Sequence, residues 1–355
     1  MPSDTTPRVS IVIPSYNRWG LLERAIASVR RQGLADWELI VVDDGSIDGT
    51  AAGIEEMGRV DPRIRLVRNA GTHGPAAARN AGLSQCRAGW VAFLDSDDQW
   101  EPGKLARFMA EANAHPEALL IGSDYWMVDQ ATGRRETMLQ FIAGTMLPWW
   151  QNDPLVSGLG PWQAIKEDPP VLASPEAMRA TTLAEFLWVH TSSAMVRLDA
   201  VRALGGFDET LMQTEDIDLW LKLADRGPVR LIAEPLATYE ITGRDVGTGE
   251  RYANQTDQRR PNLYTTHLAH LDLHMRLARR YGLTPAQYRF FLTRVAHAHR
   301  KCAEAARHNK PFSVSLAHQL AGSQLAPLAR LVSWLPALRG RIPGPELQTA
   351  GEGRG

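Results

Sequence analysis

Cysteine is scarce in this chain. Cys86 and Cys302 are the two in 355 residues, and neither belongs to a Cys-x-x-Cys spacing. That leaves no disulfide framework and no cysteine-ligated metal site, and it fits a reducing compartment. Long apolar runs are also missing. No stretch of about 18 uninterrupted apolar residues occurs, so no membrane-spanning helix is expected. The opening MPSDTTPRVS has neither a basic start nor an apolar stretch, so no signal peptide is expected. No charge sign dominates: 39 Lys and Arg stand against 40 Asp and Glu, for a net charge of −1 and a pI of about 6.8. A nucleic-acid footprint is therefore not expected. What is present is globular, with 44% hydrophobic and 22% charged residues. The length suits one large α/β domain with an appendage, or two domains.

The first hundred residues alternate between two hydrophobic periods. Val9 to Ile13 is a short apolar run closed by Pro14, and Leu21, Leu22, Ala25, Ile26 and Val29 then share one helical face before Gly33. Trp37 to Val42 is a second continuous apolar strand, followed by a helix expected from about Ile47 to Met57. Arg63 to Arg68 reads as a third strand, the loop Asn69 to Gly74 is glycine-rich, and Ala76 to Ser84 is helical. Gly89 to Leu94 is the fourth strand, and Pro102 starts the next helix. Alternation of this kind predicts a parallel sheet with right-handed crossovers. Trp188 to Val196 predicts a further strand, Leu198 to Leu204 a short helix, and Thr214 opens a helix ending near Gly227. Val229 to Ala233 and Leu236 to Ile241 predict two more strands.

Three strands end in polar clusters: Pro14-Ser15-Tyr16-Asn17-Arg18, Asp43-Asp44-Gly45-Ser46 and Asp95-Ser96-Asp97-Asp98. The carboxyl ends of strands are where open α/β sheets bind ligands. The third cluster is the most informative, with three carboxylates in four residues. Two negative charges about 6 Å apart repel by roughly 3 kcal/mol at an effective dielectric near 20. A divalent cation with oxygen ligands, bridging to a diphosphate, is the natural counter-charge. A solvated turn before a helix is the plainer alternative.

Six motifs occur in order: VSIVIPSYNR (9–18), VVDDGS (41–46), ARNAGL (78–83), FLDSDD (93–98), GGFDE (205–209) and TEDIDLWL (214–221). Together they resemble the family 2 nucleotide-sugar glycosyltransferases, whose fold is of GT-A type, over roughly residues 8–242. The resemblance implies an α/β GT-A-type, mostly parallel sheet flanked by helices. It also implies a metal-dependent, inverting transferase using a UDP- or dTDP-sugar, with Mg²⁺ or Mn²⁺ as cofactor. Pro14 and Tyr16 match the nucleoside-binding positions, where a Tyr ring offers a stacking face. Asp44 matches the base-binding carboxylate, with Asp43 as a structural neighbour easily confused with it. Arg18 and Arg79 are placed toward the donor, where a guanidinium suits a diphosphate. Asp95 and Asp97 match the DxD motif, Asp97 toward the metal and Asp95 toward ribose or metal. Asp98 is expected to support them or to cap the helix. Asp216 matches the catalytic base, with Glu215 as the alternative. The plainer reading of these acids is a favourable helix N-terminus.

One feature departs from the family. Many relatives carry a His beyond the acidic pair, whereas here the stretch reads Thr238-Tyr239-Glu240-Ile241-Thr242-Gly243-Arg244. The QxxRW motif of processive synthases is absent too, which implies transfer of a single sugar. On the acceptor side, His190-Thr191-Ser192-Ser193 resembles the family stretch near the acceptor pocket, and His190 either binds a sugar hydroxyl or is a hydrogen-bonded structural histidine. Trp149, Trp150 and Trp162 either stack on sugar rings or pack a small local core. Domain boundaries are expected at 1–7 for a tail, 8–245 for the catalytic domain with an irregular acceptor-side insertion at 133–182, 246–340 for a helical region and 341–355 for a flexible tail. Arg276, Arg279, Arg280, His297, His299, Arg300 and Lys301 make parts of the helical region basic. It either rests on an anionic bilayer or packs as an appendage or against another subunit, the packing reading being favoured. The resemblance implies a glycan or lipid-linked acceptor in bacterial surface polysaccharide assembly. The expected location is cytoplasmic, with peripheral contact at the inner face of the membrane as an option. Two other classes compete: a nucleotidyltransferase, and a non-catalytic nucleotide-sugar or glycan-binding module.

Overall fold

The structure, a computed structural model, describes residues 6–142, 144, 189–211 and 213–241, with scattered helical positions between 269 and 303. Two compact units divide the chain, the first holding most of residues 1–257 and the second most of 258–355.

In the first unit the chain runs β1 (Val9–Ser15), α1 (Trp19–Arg30), β2 (Trp37–Asp43), α2 (Thr50–Val60), β3 (Ile64–Arg68), α3 (Pro75–Gln85) and β4 (Trp90–Phe93). It continues through β5 (Gln99–Trp100), α4 (Lys104–Ala114), β6 (Leu120–Asp129), β7 (Arg135–Thr137) and α5 (Met138–Phe141). A 3-10 turn (Thr191–Ser193) then leads into β8 (Ala194–Arg197), α6 (Leu198–Ala203), α7 (Glu215–Ala224) and β9 (Val229–Ile241). One sheet takes the order β3-β2-β1-β4-β8-β6-β9-β5, with β7 on β6. The strands β3, β2, β1 and β4 are mutually parallel, as the alternating pattern predicts. Every residue of β2 is buried, because a parallel strand covered on both faces needs a continuous apolar run.

Helix α3 lies close on this half of the sheet. A Cβ on Gly82 would stand 2.5 Å from Val12 Cγ1 and 3.2 Å from Val42 Cγ2. At the opposite, N-terminal ends of the strands sits a buried carboxylate, Glu38. It accepts from Ser10 Oγ at 2.7 Å, from Arg87 N at 2.8 Å and from Arg65 at 2.8 Å. Burial works against its charge, but these donors outweigh burial and lower its pKa.

Beyond β4 the sheet becomes mixed. β8 runs antiparallel to β4 and β6, while β9 runs parallel to β6. The pairs Trp90↔Arg197 and Ala92↔Met195 set a register that, continued past the strand, places Ser192 opposite Asp95. Four local expectations change. Val229 to Ile241 is one strand, with register shifts near Asp124 absorbing Pro235. The strand after Trp188 is confined to Ala194–Arg197, because a 3-10 turn takes Thr191–Ser193. Helix α2 begins at Thr50, where Asp48 Oδ1 accepts from Thr50 N at 3.1 Å. Within the expected insertion, Arg135–Thr137 and Met138–Phe141 are regular elements. Trp149, Trp150 and Trp162 lie outside the described residues, as do Arg244, His297 and Lys301.

In the second unit Leu292, Val295, Ala296, Cys302 and Ala303 are buried while Arg279, Arg280 and Arg300 are exposed, the pattern of an amphipathic helical region. Arg276 pairs with Asp272 at 2.8 Å. Among the described residues no helix is long and apolar enough to cross a membrane.

Gly82→Ala tests the helix–sheet approach. Alanine gains about 1 kcal/mol of helix propensity, but overpacking against Val12 costs about 1–3 kcal/mol. The expected result is a net loss in urea unfolding and a lower Tm; a higher Tm would show that Val12 yields freely.

Candidate active site

The site forms where β1, β2, β4 and the turn before β8 deliver their polar residues. Pro14 is in register with Val42 on β2, and Tyr16 just beyond it is 56% exposed, so its ring is not a core aromatic. Asn17 takes the left-handed conformation at φ 48°. Its side chain accepts from Ile47 N at 2.8 Å, and its own N–H donates to Ser46 Oγ at 2.9 Å, so the ends of β1 and β2 are stitched together. Asp43 points back into its turn and accepts from Ser46 N at 3.0 Å. Asp44 reaches the glycine-rich loop instead, accepting from Asn69 Nδ2 at 2.6 Å and Gly74 N at 2.8 Å, with His73 Nδ1 at 3.1 Å. The two aspartates thus have separate tasks.

Arg79 joins two motifs. Its guanidinium donates to Asp95 Oδ1 at 2.7 Å and to Glu215 Oε1 at 2.6 Å, and the residue is 4% exposed. Expected at a diphosphate, it lies between the DSDD carboxylates of β4 and the acidic pair of α7. The next residue, Asn80, fixes the GGFDE loop. It donates to Phe207 O at 2.9 Å and accepts from Phe207 N at 2.8 Å. Gly206 sits at φ 80° with Asn80 Oδ1 so close that a Cβ would meet it at 2.4 Å. Phe207 packs edge-on to Phe93 at 5.2 Å, with Trp220 at 6.1 Å from both.

The three aspartates after β4 diverge. Asp97 pairs with Arg18 at 2.8 Å. Asp98 is 1% exposed and accepts from Ser192 Oγ at 2.5 Å and from Glu240 N at 3.2 Å. Asp95 N–H donates to that same Ser192 Oγ at 3.0 Å, as the extended register requires. Asp95, Asp98 and His190 each offer one ligand atom, all within 4.8 Å of one another. Two carboxylate oxygens and an imidazole fit a divalent cation. His190 rests against Tyr239 at 4.6 Å and Tyr125 at 5.5 Å, and its Nδ1 accepts from Ser192 N at 3.3 Å.

Burial and charge separate these acids. Asp98 is pushed well up by burial and by its neighbours Asp97 and Asp95. Asp97 is raised by burial, against the pull of Arg18. Burial works against the charge of Asp95, but Arg79, His190 and Arg18 together outweigh it and lower its pKa. Burial lowers His190, against Asp95 and Asp97. Asp216 is pushed up to about 7 by burial and the adjacent Glu215, with Arg79 and Thr191 working the other way. Its carboxylate accepts from Thr191 Oγ1 at 2.7 Å and from Ile217 N at 2.8 Å. A buried carboxyl near 7 has the poise of a general base at neutral pH. The sequence reading set Thr191 and Ser192 only in a stretch near the acceptor pocket, and gave Asn69 and Asn80 no role. Asn80 stood inside a quoted motif, and the antiparallel register that recruits Ser192 has no local signal.

The sheet, parallel in one half and mixed in the other, has a glycosyltransferase fold of GT-A type. The mannosyltransferase PcManGT of Pyrobaculum calidifontis, solved with GDP-Man and Mn²⁺, superposes with a TM-score of 0.53 at 17% identity, covering 94% of this chain and 82% of that one. Residues 10–154, within the α/β domain, match the profile described as Glycosyl transferase family 2. The chain is 42% identical over 108 residues to TuaG, a teichuronic acid biosynthesis glycosyltransferase of Bacillus subtilis (30% of this chain, 43% of TuaG). It is 44% identical over 97 residues to the Escherichia coli UDP-Glc:alpha-D-GlcNAc-diphosphoundecaprenol beta-1,3-glucosyltransferase WfgD (27% of this chain, 38% of WfgD). Each match therefore spans less than half of the curated relative.

Arg79→Met leaves Asp95 and Glu215 facing each other without their cation. Breaking a buried pair from one side costs about 3–5 kcal/mol. Urea unfolding should report a loss of that order, and a loss below about 1 kcal/mol would show that water already screens the pair.

Proposed function

We propose that the chain is a metal-dependent, inverting glycosyltransferase that moves one sugar from a UDP- or dTDP-sugar to a glycan or lipid-linked acceptor. Its setting is bacterial surface polysaccharide assembly at the cytoplasmic side of the membrane. The observation that carries this reading is Arg79, which draws Asp95 of the strand-end carboxylates and Glu215, neighbour of the base, into one site. WfgD, by its name, uses UDP-Glc and a diphosphoundecaprenol-linked sugar, and that supports both the donor and the acceptor class.

The exposed ring of Tyr16 stacks on the base of the donor nucleotide, with Pro14 beside it and Asp44 held toward the base by Asn69 and Gly74. Asp95 is common to the expected DxD pair with Asp97 and to the cluster with Asp98 and His190, and it would hold Mg²⁺ or Mn²⁺. Such a cation supplies charge neutralisation for the departing diphosphate. Arg18, beside Asp97, adds a second positive group on the same side. Asp216 takes the proton of the acceptor hydroxyl. The acceptor oxygen bonds to the anomeric carbon as the carbon–oxygen bond to the nucleotide breaks on the opposite face, and the bonding pair leaves with the diphosphate. One displacement of this kind inverts the anomeric centre.

Thermal shift with UDP, dTDP and UDP-sugars, with and without Mn²⁺, tests the donor site. A ligand at 100 times its Kd should add about 2.7 kcal/mol of stability. The expected result is stabilisation by a uracil or thymine nucleotide that requires Mn²⁺ and is weakened by Tyr16→Ala. No stabilisation by any nucleotide at saturation would favour a glycan-binding module instead.

Ionisation of the base gives a second test. Asp216 is ionised above about 7, so turnover should climb with pH through that value and then level off. The stability sign is opposite. The folded state binds the extra proton between about pH 4 and 7, so the stabilisation is full at low pH and lost as pH rises through 7. Asp216→Asn should abolish transfer while leaving stability at pH 8 equal or higher. Retained turnover in this variant would move the base to Glu215.

A further inference from the structure

Thr191 and Ser192 are neighbours on one 3-10 turn, and each hydroxyl holds a carboxylate of a different motif. Thr191 Oγ1 donates to Asp216 Oδ2 at 2.7 Å. Ser192 Oγ donates to Asp98 Oδ2 at 2.5 Å and accepts from Asp95 N at 3.0 Å. The turn itself is fixed from two sides. Trp100 Nε1 donates to Ser192 O at 2.8 Å, and Ser193 Oγ donates to His190 O at 2.8 Å. Thr191 is 2% exposed. A buried hydroxyl costs free energy unless it is used, whereas valine fills the same space without that cost. Packing alone therefore does not ask for threonine here. The groups facing Asp216 are Glu215 on its own helix, Arg79 from α3, Tyr125 from β6 and Thr191 from the turn.

We propose that Thr191 is a positioning residue for Asp216. Its hydroxyl anchors Oδ2 while Ile217 N–H anchors Oδ1, so the carboxylate plane is set and its remaining lone pairs are left for the acceptor proton. Ser192, one residue on, ties that plane to the donor-side carboxylates. The base and the metal-side acids then share one frame, although they lie more than a hundred residues apart in the chain. The catalytic meaning of this bond rests on the transfer reading above, but the bond has a signature that needs no substrate.

The experiment is ¹³C NMR of the full chain labelled at aspartate carboxyls, with the Asp216 resonance identified by its loss in Asp216→Asn. Wild type should titrate near 7. Thr191→Val removes a donor to the ionised form, so the midpoint should rise by about one unit, and Thr191→Ser should restore it. UDP release from UDP-glucose with Mn²⁺, water standing in for the acceptor hydroxyl and glucose as the other product, gives the second readout. In Thr191→Val, kcat should fall about tenfold or more with KM for UDP-glucose little changed, and the acidic limb of the pH profile should move with the NMR midpoint. An unmoved midpoint and an unmoved limb overturn the proposal, even if kcat falls. If the valine variant does not fold, Thr191→Ala gives the same two readings. A shifted midpoint with no UDP release from any form, wild type included, keeps the positioning bond and removes UDP-glucose as the donor.

Discussion

The structure depends most on one guanidinium. Arg79 emerges from α3, is almost wholly buried, and spends two arms on carboxylates from β4 and α7. Taking three charges out of water is costly, and mutual attraction offsets the cost only when the hydrogen bonds are good. Both contacts are short, yet the Nε of Arg79 finds no partner among the described residues. An apolar core of the same shape would be at least as stable on general grounds. The arrangement is therefore better understood as setting where Asp95 and Glu215 stand, and hence how Asp216 is charged, than as a source of fold stability.

The two edges of the parallel half of the sheet make a useful contrast. At the N-terminal edge, Glu38 is surrounded by donors and its pKa is lowered, so it is a settled charge. At the C-terminal edge Asp97 and Asp98, with Asp216 on α7, are all raised, first by burial and then by the carboxylates beside them. One edge has its charges satisfied from within the chain. The other is short of positive charge, as a surface meant for a metal ion and an acceptor proton would be.

Much of this was legible in the residues. Apolar runs at 9–13, 37–42 and 89–94 located three parallel strands, since a strand covered on both faces must be apolar throughout. The polar clusters after them located the site, since strand ends in such sheets face ligands. The mixed half was harder to see. β6 went unpredicted, and the turn at Thr191–Ser193 was taken for strand because Val189, Ala194, Met195 and Val196 are all apolar around it. Arg79 was readable as a cation near the donor but not as the link to Glu215, 136 residues away, because pairing at that distance leaves no trace in local pattern. The distinction between Asp43 and Asp44 likewise came only from which neighbour each side chain meets.

The antiparallel register between β4 and β8 carries an evolutionary consequence. Side chains on a strand alternate faces, so a slip of one residue would turn Ser192 away from Asp95 and carry Thr191 away from Asp216. The spacing from the 3-10 turn into β8 is therefore frozen by geometry. A lineage that changes its acceptor must keep that spacing, because a single residue inserted there would dismantle the frame that holds the carboxylates.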